Sequence, residues 1–324
     1  MTISDKTLVA WFGEIDRGHV SAAGGKGASL SDMARAGMPV PPGFVVCTSA
    51  FQQFLHESGL DEEIASALLD VDIENMANLE AVAQQISQKI EAVEPSSGLR
   101  NAIVEAYQHL CEECGEIAVV AVRSSAAAED SQAASFAGQQ ETYLNVFGDN
   151  LVLQQVRACW GSFFKPRAIF YRKLKGSLKD TNMAVVVQRM IHPDKSGVLF
   201  TVDPVQRRRD RTMIEAAWGL GEAVVSGSIT PDNYIVDKST FNLVSKFVSR
   251  KPFMIVREEN EAGVRRVELP PEKAQAQVLT EAEIRELARL GNQIEAHFGA
   301  PQDVEWAIEG EAFYILQSRP VTTL

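Results

Sequence analysis

Apolar residues recur along this chain with two different periods, and the change from one to the other divides it. In ASLSDMARA (28–36), Leu30, Met33 and Ala34 fall on one helical stripe, and Gly37 followed by Pro39 supplies the stop. MPVPPGFVV then reads as an extended entry into a short strand. From about 49 to 114 the spacing predicts helix, with Phe51, Phe54 and Leu55 at helical intervals and few turn signals between. IAVVAV (117–122) is too short and too β-branched for a helix and predicts a buried strand that ends at Arg123. A single long helix is expected over 150–175, its aromatics Trp160, Phe163, Phe164, Phe170 and Tyr171 serving as core packing.

After that helix the period changes. AVVVQRM (184–190), GVLFTV (197–202), TMIEAAW (212–218), NYIVD (233–237), LVSKFVS (243–249) and PFMIVRE (252–258) are short strands separated by Gly, Pro, Asp and Asn. Thr280 with Glu283 forms a capping box ahead of a helix carrying Ile284, Leu287, Ala288, Ile294 and Phe298. DVEWAI and AFYILQ close the chain as two strands around Glu309-Gly310-Glu311. The expected organisation is α+β in two lobes: a mixed helical and strand lobe over 1–187, then a strand-rich lobe over 188–324.

Composition narrows the function more than the fold. The 324 residues carry a formal net charge of −12, which argues against nucleic acid as the main partner. The one basic run, Arg207-Arg208-Arg209 with Arg211, lies beside Asp210 and reads as a solvated loop. No stretch has the apolar length of a membrane span and the start lacks a signal peptide's pattern, so the expected location is cytoplasmic. Four cysteines suit a reducing compartment. Cys111 and Cys114 form a CxxC without a second pair at zinc-site spacing, and are expected to be structural.

Four stretches have the residue types for chemistry. Ala23-Gly24-Gly25-Lys26-Gly27 stands directly before the 28–36 helix, where glycines admit a close ligand and free N–H groups favour an anion. Lys26 would bring positive charge to phosphate oxygens, although a Lys at a helix start is more often simply solvated. Arg123, at a strand end, can fork onto two phosphate oxygens. About twenty small, acidic and amide residues follow it, among them Ser135, Gly138 and Gln139 in SFAGQQ. That stretch reads equally as a lid over a phosphate chain or as a surface loop in which Arg123 pairs with Glu129 or Asp130.

The C-terminal strand pair adds geometry. If Glu309-Gly310-Glu311 is a three-residue turn, Ile308 pairs with Ala312, Glu305 faces Ile315 and Asp303 faces Gln317. Glu305 and Gln317 are then diagonal neighbours on one face, at roughly 7 Å, and make an oxygen pair suited to Mg²⁺. Arg319 extends that face with positive charge. A two-residue turn would send Gln317 to the other face. Trp218-Gly219-Leu220-Gly221-Glu222 has two of the three glycines of a dinucleotide fingerprint and on its own is a tight turn.

Taken in order, GGKGASL, VPPGF, VRSSAAAED, SFAGQQET, QRM, AWGLGE, DVEWA and LQSRP resemble the nucleotide-binding domain of the phosphoenolpyruvate synthase and pyruvate phosphate dikinase family, from about residue 8 to 321. Rifampin phosphotransferase has a similar domain. The resemblance implies an ATP-grasp fold with ATP between two lobes and Mg²⁺ as its metal. It implies that Lys26, Arg123 and Arg319 are the catalytic cations and that Glu305 and Gln317 are the metal ligands. Gln188 and Met190 would lie at the adenine hinge, Glu222 near the ribose, and Ser135–Thr142 would form the lid.

The family's phosphorylated histidine lies in a Thr/Ser-x-His segment of a swivelling domain, and none of His19, His56, His109, His192 or His297 sits in such a segment. The expectation is therefore an ATP-binding subunit or domain of a dikinase-type phosphotransferase. It would phosphorylate a His on a partner chain or a missing C-terminal domain, giving AMP and phosphate, with onward transfer to pyruvate or a phenol. Phenylphosphate synthase is a split enzyme of this kind. The alternative, from a different class, is a non-catalytic ATP-sensing or regulatory module of the same fold.

Overall fold

A computed structural model describes residues 3–4, 6–126, 141–175, 182–259 and 261–322. The chain forms two compact units, Met1–Asp32 with Pro42–Met190, and Met33–Pro41 with Ile191–Leu324.

The first unit contains β1 (Val9–Trp11), α1 (Val20–Arg35), β2 (Gly43–Val46), α2 (Thr48–Ser58), α3 (Leu60–Leu69), α4 (Met76–Ala92), α5 (Ser97–Cys114), β3 (Val120–Ala126), β4 (Thr142–Val146), α6 (Asp149–Ser162), α7 (Pro166–Lys175) and β5 (Met183–Arg189). Its sheet runs β1-β2-β5-β3-β4, every neighbouring pair antiparallel. Gln188 on β5 pairs with Gly43 on one side and Ala121 on the other. That pairing sets Gln188 in the central strand of this sheet.

Three elements differ from the sequence reading. The helix expected at 28–36 starts at Val20 and contains the Gly-rich stretch, kinked at Gly24. The region expected to be continuous helix from 150 breaks because Pro166 opens a new helix, where its missing N–H is harmless. The strand expected to end at Arg123 continues to Ala126, since Ser124 and Ser125 still pair with Val185 and Ala184. The helices bury one core in which Trp160 stacks between Phe51 and Phe54, at 5.4 and 5.0 Å between ring centroids. Burying such aromatics contributes about 2–3 kcal/mol each. Phe170, expected in that core, is 41% exposed.

The second unit contains β6 (Lys195–Phe200), β7 (Arg211–Trp218), α8 (Glu222–Val225), β8 (Asp232–Asp237), β9 (Leu243–Phe247), β10 (Phe253–Arg257), β11 (Val264–Glu268), α9 (Pro271–Gln275), α10 (Glu281–Phe298), β12 (Gln302–Glu309) and β13 (Ala312–Pro320). The large sheet runs β13-β12-β6-β7-β8-β9 and is antiparallel throughout, while β10 and β11 form a separate hairpin. The helix α10 begins with the expected Thr280–Glu283 capping box and packs on β6, β7, β8 and β12. Among the described residues no helix is long and apolar enough to cross a membrane.

Candidate functional site

Sequence points to two sets of residues, one in each unit. In the first unit the glycine-rich stretch is a kink rather than a loop. Gly24 has φ 68° and ψ 170°, and a Cβ there would stand 2.3 Å from the Ser125 carbonyl oxygen. Only glycine accepts both the conformation and the approach. Two residues on, the Lys26 ammonium donates to the Ser124 carbonyl at 2.7 Å and is 6% exposed. Arg123 immediately precedes that carbonyl and is also buried. Lys26 and Arg123, 97 positions apart, are therefore brought to the same strand segment. Burial pushes the nearby Cys159 thiol up, against the pull of the Lys26 charge.

Ser124 also ties together the two ends of the segment bearing the expected lid. Its N–H donates to the Glu141 carbonyl at 3.0 Å, and the Glu141 N–H donates to its hydroxyl at 3.1 Å. Ser135, Gly138 and Gln139 lie outside the described residues. Gln188 is buried at the centre of the sheet. The Met190 N–H donates to the Val119 carbonyl at 2.8 Å, and its sulfur accepts from the Asn145 N–H at 3.1 Å. Asn145 sits in a left-handed conformation (φ 58°) where the β3–β4 register shifts. Sequence reading passed over it, although Asn is among the non-glycine residues that best tolerate such a position.

In the second unit the turn is shorter than expected. Glu309 pairs with Ala312, so Gly310 and Glu311 alone make the turn, with Gly310 at φ 59°. A regular ladder would then place Gln317 on the face away from Glu305. A bulge prevents this. Trp306 pairs with Ile315 but Glu305 pairs with Gln317, leaving Leu316 as the extra residue. Glu305 and Gln317 are thus directly opposite instead of diagonal, and Asp303 faces Arg319 instead of Gln317.

The Arg319 guanidinium donates to Asp303 through Nε at 2.9 Å and is paired with it through Nη2 at 2.8 Å. Across β12, β6 and β7, Glu305 aligns with Val198 and Val198 with Glu215. Glu215 therefore shares the face of Glu305, a residue that sequence reading missed. The signal was present: a single acid among the apolar residues of TMIEAAW. Burial, and then the nearby Asp303 carboxylate, raise the Glu215 pKa. Asp303 is itself raised by burial, against the lowering influence of Arg319.

No group of three or more His, Cys, Asp or Glu side chains among the described residues makes a metal cage. The Glu305–Gln317 pair is instead an all-oxygen donor set whose face carries excess negative charge, which suits a hard divalent cation that takes its remaining ligands from phosphates. Glu222 is exposed at the start of α8. The Gly219 turn before it lets Leu220 donate to the Ile255 carbonyl at 2.9 Å. Cys111 and Cys114 are free thiols half-buried at the end of α5, and Cys111 accepts from the Ala118 N–H. In the basic run Arg208 pairs with Asp210 at 2.5 Å, and Arg211 with Asp237 at 3.6 Å.

The family described as "Pyruvate phosphate dikinase, AMP/ATP-binding domain" matches residues 20–324. A "Probable phosphoenolpyruvate synthase" of Archaeoglobus fulgidus is 49% identical over 317 residues, covering 98% of this chain and 42% of that protein. One of Methanocaldococcus jannaschii is 49% identical over 319 residues, covering 98% of this chain and 27% of that protein. A "Rifampicin phosphotransferase" of Bacillus subtilis is 38% identical over 320 residues, covering 98% of this chain and 36% of that protein. The chain thus spans less than half the length of these relatives. With a family match over nearly its whole length, the chain belongs to the pyruvate phosphate dikinase AMP/ATP-binding domain family.

Proposed function

We propose that this chain is the ATP-binding part of a dikinase-type phosphotransferase with an ATP-grasp fold. It would use Mg-ATP to phosphorylate a histidine on a swivelling domain supplied by a partner chain or by further sequence. ATP, water and the histidine would give AMP, inorganic phosphate and phosphohistidine, and the phosphoryl group would pass on to pyruvate or a phenol. The observation that carries the reading is the bulge at Leu316. It uses an irregularity of β13 to set an acid and an amide side by side, next to an Arg held by an Asp. Relatives named for different acceptors match the same residues, which supports acceptor choice being made elsewhere.

In this reading Lys26 and Arg123 bind and orient the nucleotide's phosphates, and Arg319, steadied by Asp303, meets the terminal phosphate. Ser135, Gly138 and Gln139, outside the described residues, would supply the lid that the resemblance implies. Gln188 and Met190 hold the adenine and Glu222 the ribose. Glu305 and Gln317 would hold Mg²⁺, which when bound neutralises phosphate charge and fixes the chain of phosphates. Catalysis is then chiefly positioning and fixed charge.

The test is transfer of labelled phosphate from ATP to a supplied phosphohistidine-domain protein. Lys26→Ala should reduce transfer by about 100-fold or more, on the order of removing one transition-state cation, with the fold intact by circular dichroism. Near-normal transfer by the variant would remove Lys26 from the machinery.

A further inference from the structure

The kink in α1 has a specific partner that the proposed machinery does not use. In an unbroken α-helix the Gly27 N–H would donate to the Ala23 carbonyl four residues earlier. Here the Ser125 hydroxyl stands in that bond: it donates to the Ala23 carbonyl at 2.9 Å and accepts from the Gly27 N–H at 3.1 Å. A side chain inserted into the helical ladder is one of the few physical causes of a sharp kink. Ser125 is fully buried, and Gly24, between the two groups it bridges, takes the left-handed conformation that lets the backbone close over it. Gly27 is confined as well, since a Cβ there would lie 3.1 Å from Val45 Cγ2.

We propose that Ser125 is a positioning residue for the nucleotide's phosphates. Its hydroxyl replaces the Ala23–Gly27 helix bond, keeps α1 open at Gly24, and thereby seats Lys26 on the Ser124 carbonyl, one residue after Arg123. Arg123, Ser124 and Ser125 are consecutive on β3, and each contributes a different group. Arg123 brings a guanidinium, Ser124 the carbonyl that receives the Lys26 ammonium, and Ser125 the hydroxyl that holds the helix bent. Without the hydroxyl, Ala23 and Gly27 satisfy each other only if Gly24 returns to helical angles. That turns the following residues about the helix axis and carries Lys26 away from Ser124. The two cations are thus coupled through a residue that need not touch the ligand.

This inference rests on the phosphate reading of Lys26, and the experiment separates the two. Mg-ATP affinity is measured by calorimetry for the wild-type chain, Ser125→Ala, Lys26→Ala and the double variant, with thermal unfolding recorded for each. The expected result is about a tenfold loss for Ser125→Ala, the size of one displaced contact. The double variant should bind no more weakly than Lys26→Ala alone, because Ser125 acts through Lys26. Additive losses would overturn the proposal by making Ser125 merely structural, as would unchanged affinity in Ser125→Ala beside a weakened Lys26→Ala. If Lys26→Ala itself binds as the wild type does, the phosphate reading fails and takes this inference with it. Should the alanine variant not fold, Ser125→Cys keeps the shape with a weaker donor and acceptor. It should show a loss in the same direction, and full affinity would overturn the proposal.

Discussion

Asp232 and Lys251 are each fully buried, and they pair with one another. The carboxylate also accepts from the Ser249 N–H at 3.0 Å, the Val278 N–H at 2.8 Å and the Tyr234 hydroxyl at 3.0 Å. The ammonium donates in addition to the Ser249 carbonyl. Both charges are thus paired and hydrogen-bonded, which is the condition under which a buried ion pair is tolerated. Removing one partner strands the other: Lys251→Ala should cost about 3–5 kcal/mol, read as a shift in the urea midpoint. A loss below ~1 kcal/mol would show that solvent reaches Asp232 in the native state. Nothing in the sequence marks this lysine as internal, because its partner Asp232 opens β8 and the Val278 N–H that shares that carboxylate comes from a third, separate segment. Lys26 and Arg123 could be singled out as candidates because glycines and small residues stand beside them, and side-chain size is visible in a sequence where burial is not. Ser125 was visible only as a letter in VRSSA. Its role depends on a helix about 100 residues away.

Elements were legible where periodicity and punctuation agreed, as in α10 with its capping box and the short strands after residue 183. They were misread where a single backbone event decides the outcome. The β12–β13 register depends on a two-residue turn and a one-residue bulge whose effects on Gln317 cancel, and counting residues outward from the turn detects neither. The sheet carries a further consequence. Glu215 and Asp303, on adjacent rows of one face, both have raised pKa values, burial being the larger cause in each. A carboxyl raised in the folded state stabilises below its unfolded pKa, and that contribution is lost as pH rises through the folded value. Glu215→Gln should therefore raise the melting temperature of the ligand-free chain at pH 7. The gain should be about 1–3 °C, given the solvent that still reaches this carboxyl, and should vanish near pH 4, where both forms are neutral. Thermal scans from pH 4 to 8 test this. A lower melting temperature at pH 7 would mean that Glu215 has a stabilising cation partner.

At the scale of the whole chain, the change from helical to strand texture was readable, but the strand order was not. In the first unit β5 enters between β2 and β3, so two strands separated by more than 70 residues become second neighbours, and no local pattern specifies that. The consequence for function is that the candidate residues come from the full length of the sequence, from Lys26 to Arg319. A ligand that binds the folded chain and not the unfolded one stabilises folding by mass action. Mg-ATP at 100 times its Kd should add about 2.7 kcal/mol, a melting shift of roughly 5 °C for a chain of this size. If Lys26 binds phosphate as proposed, the shift should fall sharply in Lys26→Ala. If Glu305 holds Mg²⁺ as proposed, the shift in Glu305→Ala should fall only when Mg²⁺ is present, because with EDTA the wild type would lack that contact too. A chain carrying net charge −12 offers free ATP little long-range attraction, so the metal-dependent part should dominate. An equal shift in the wild type and both variants, with and without Mg²⁺, would place the nucleotide away from both the kinked helix and the bulged strand.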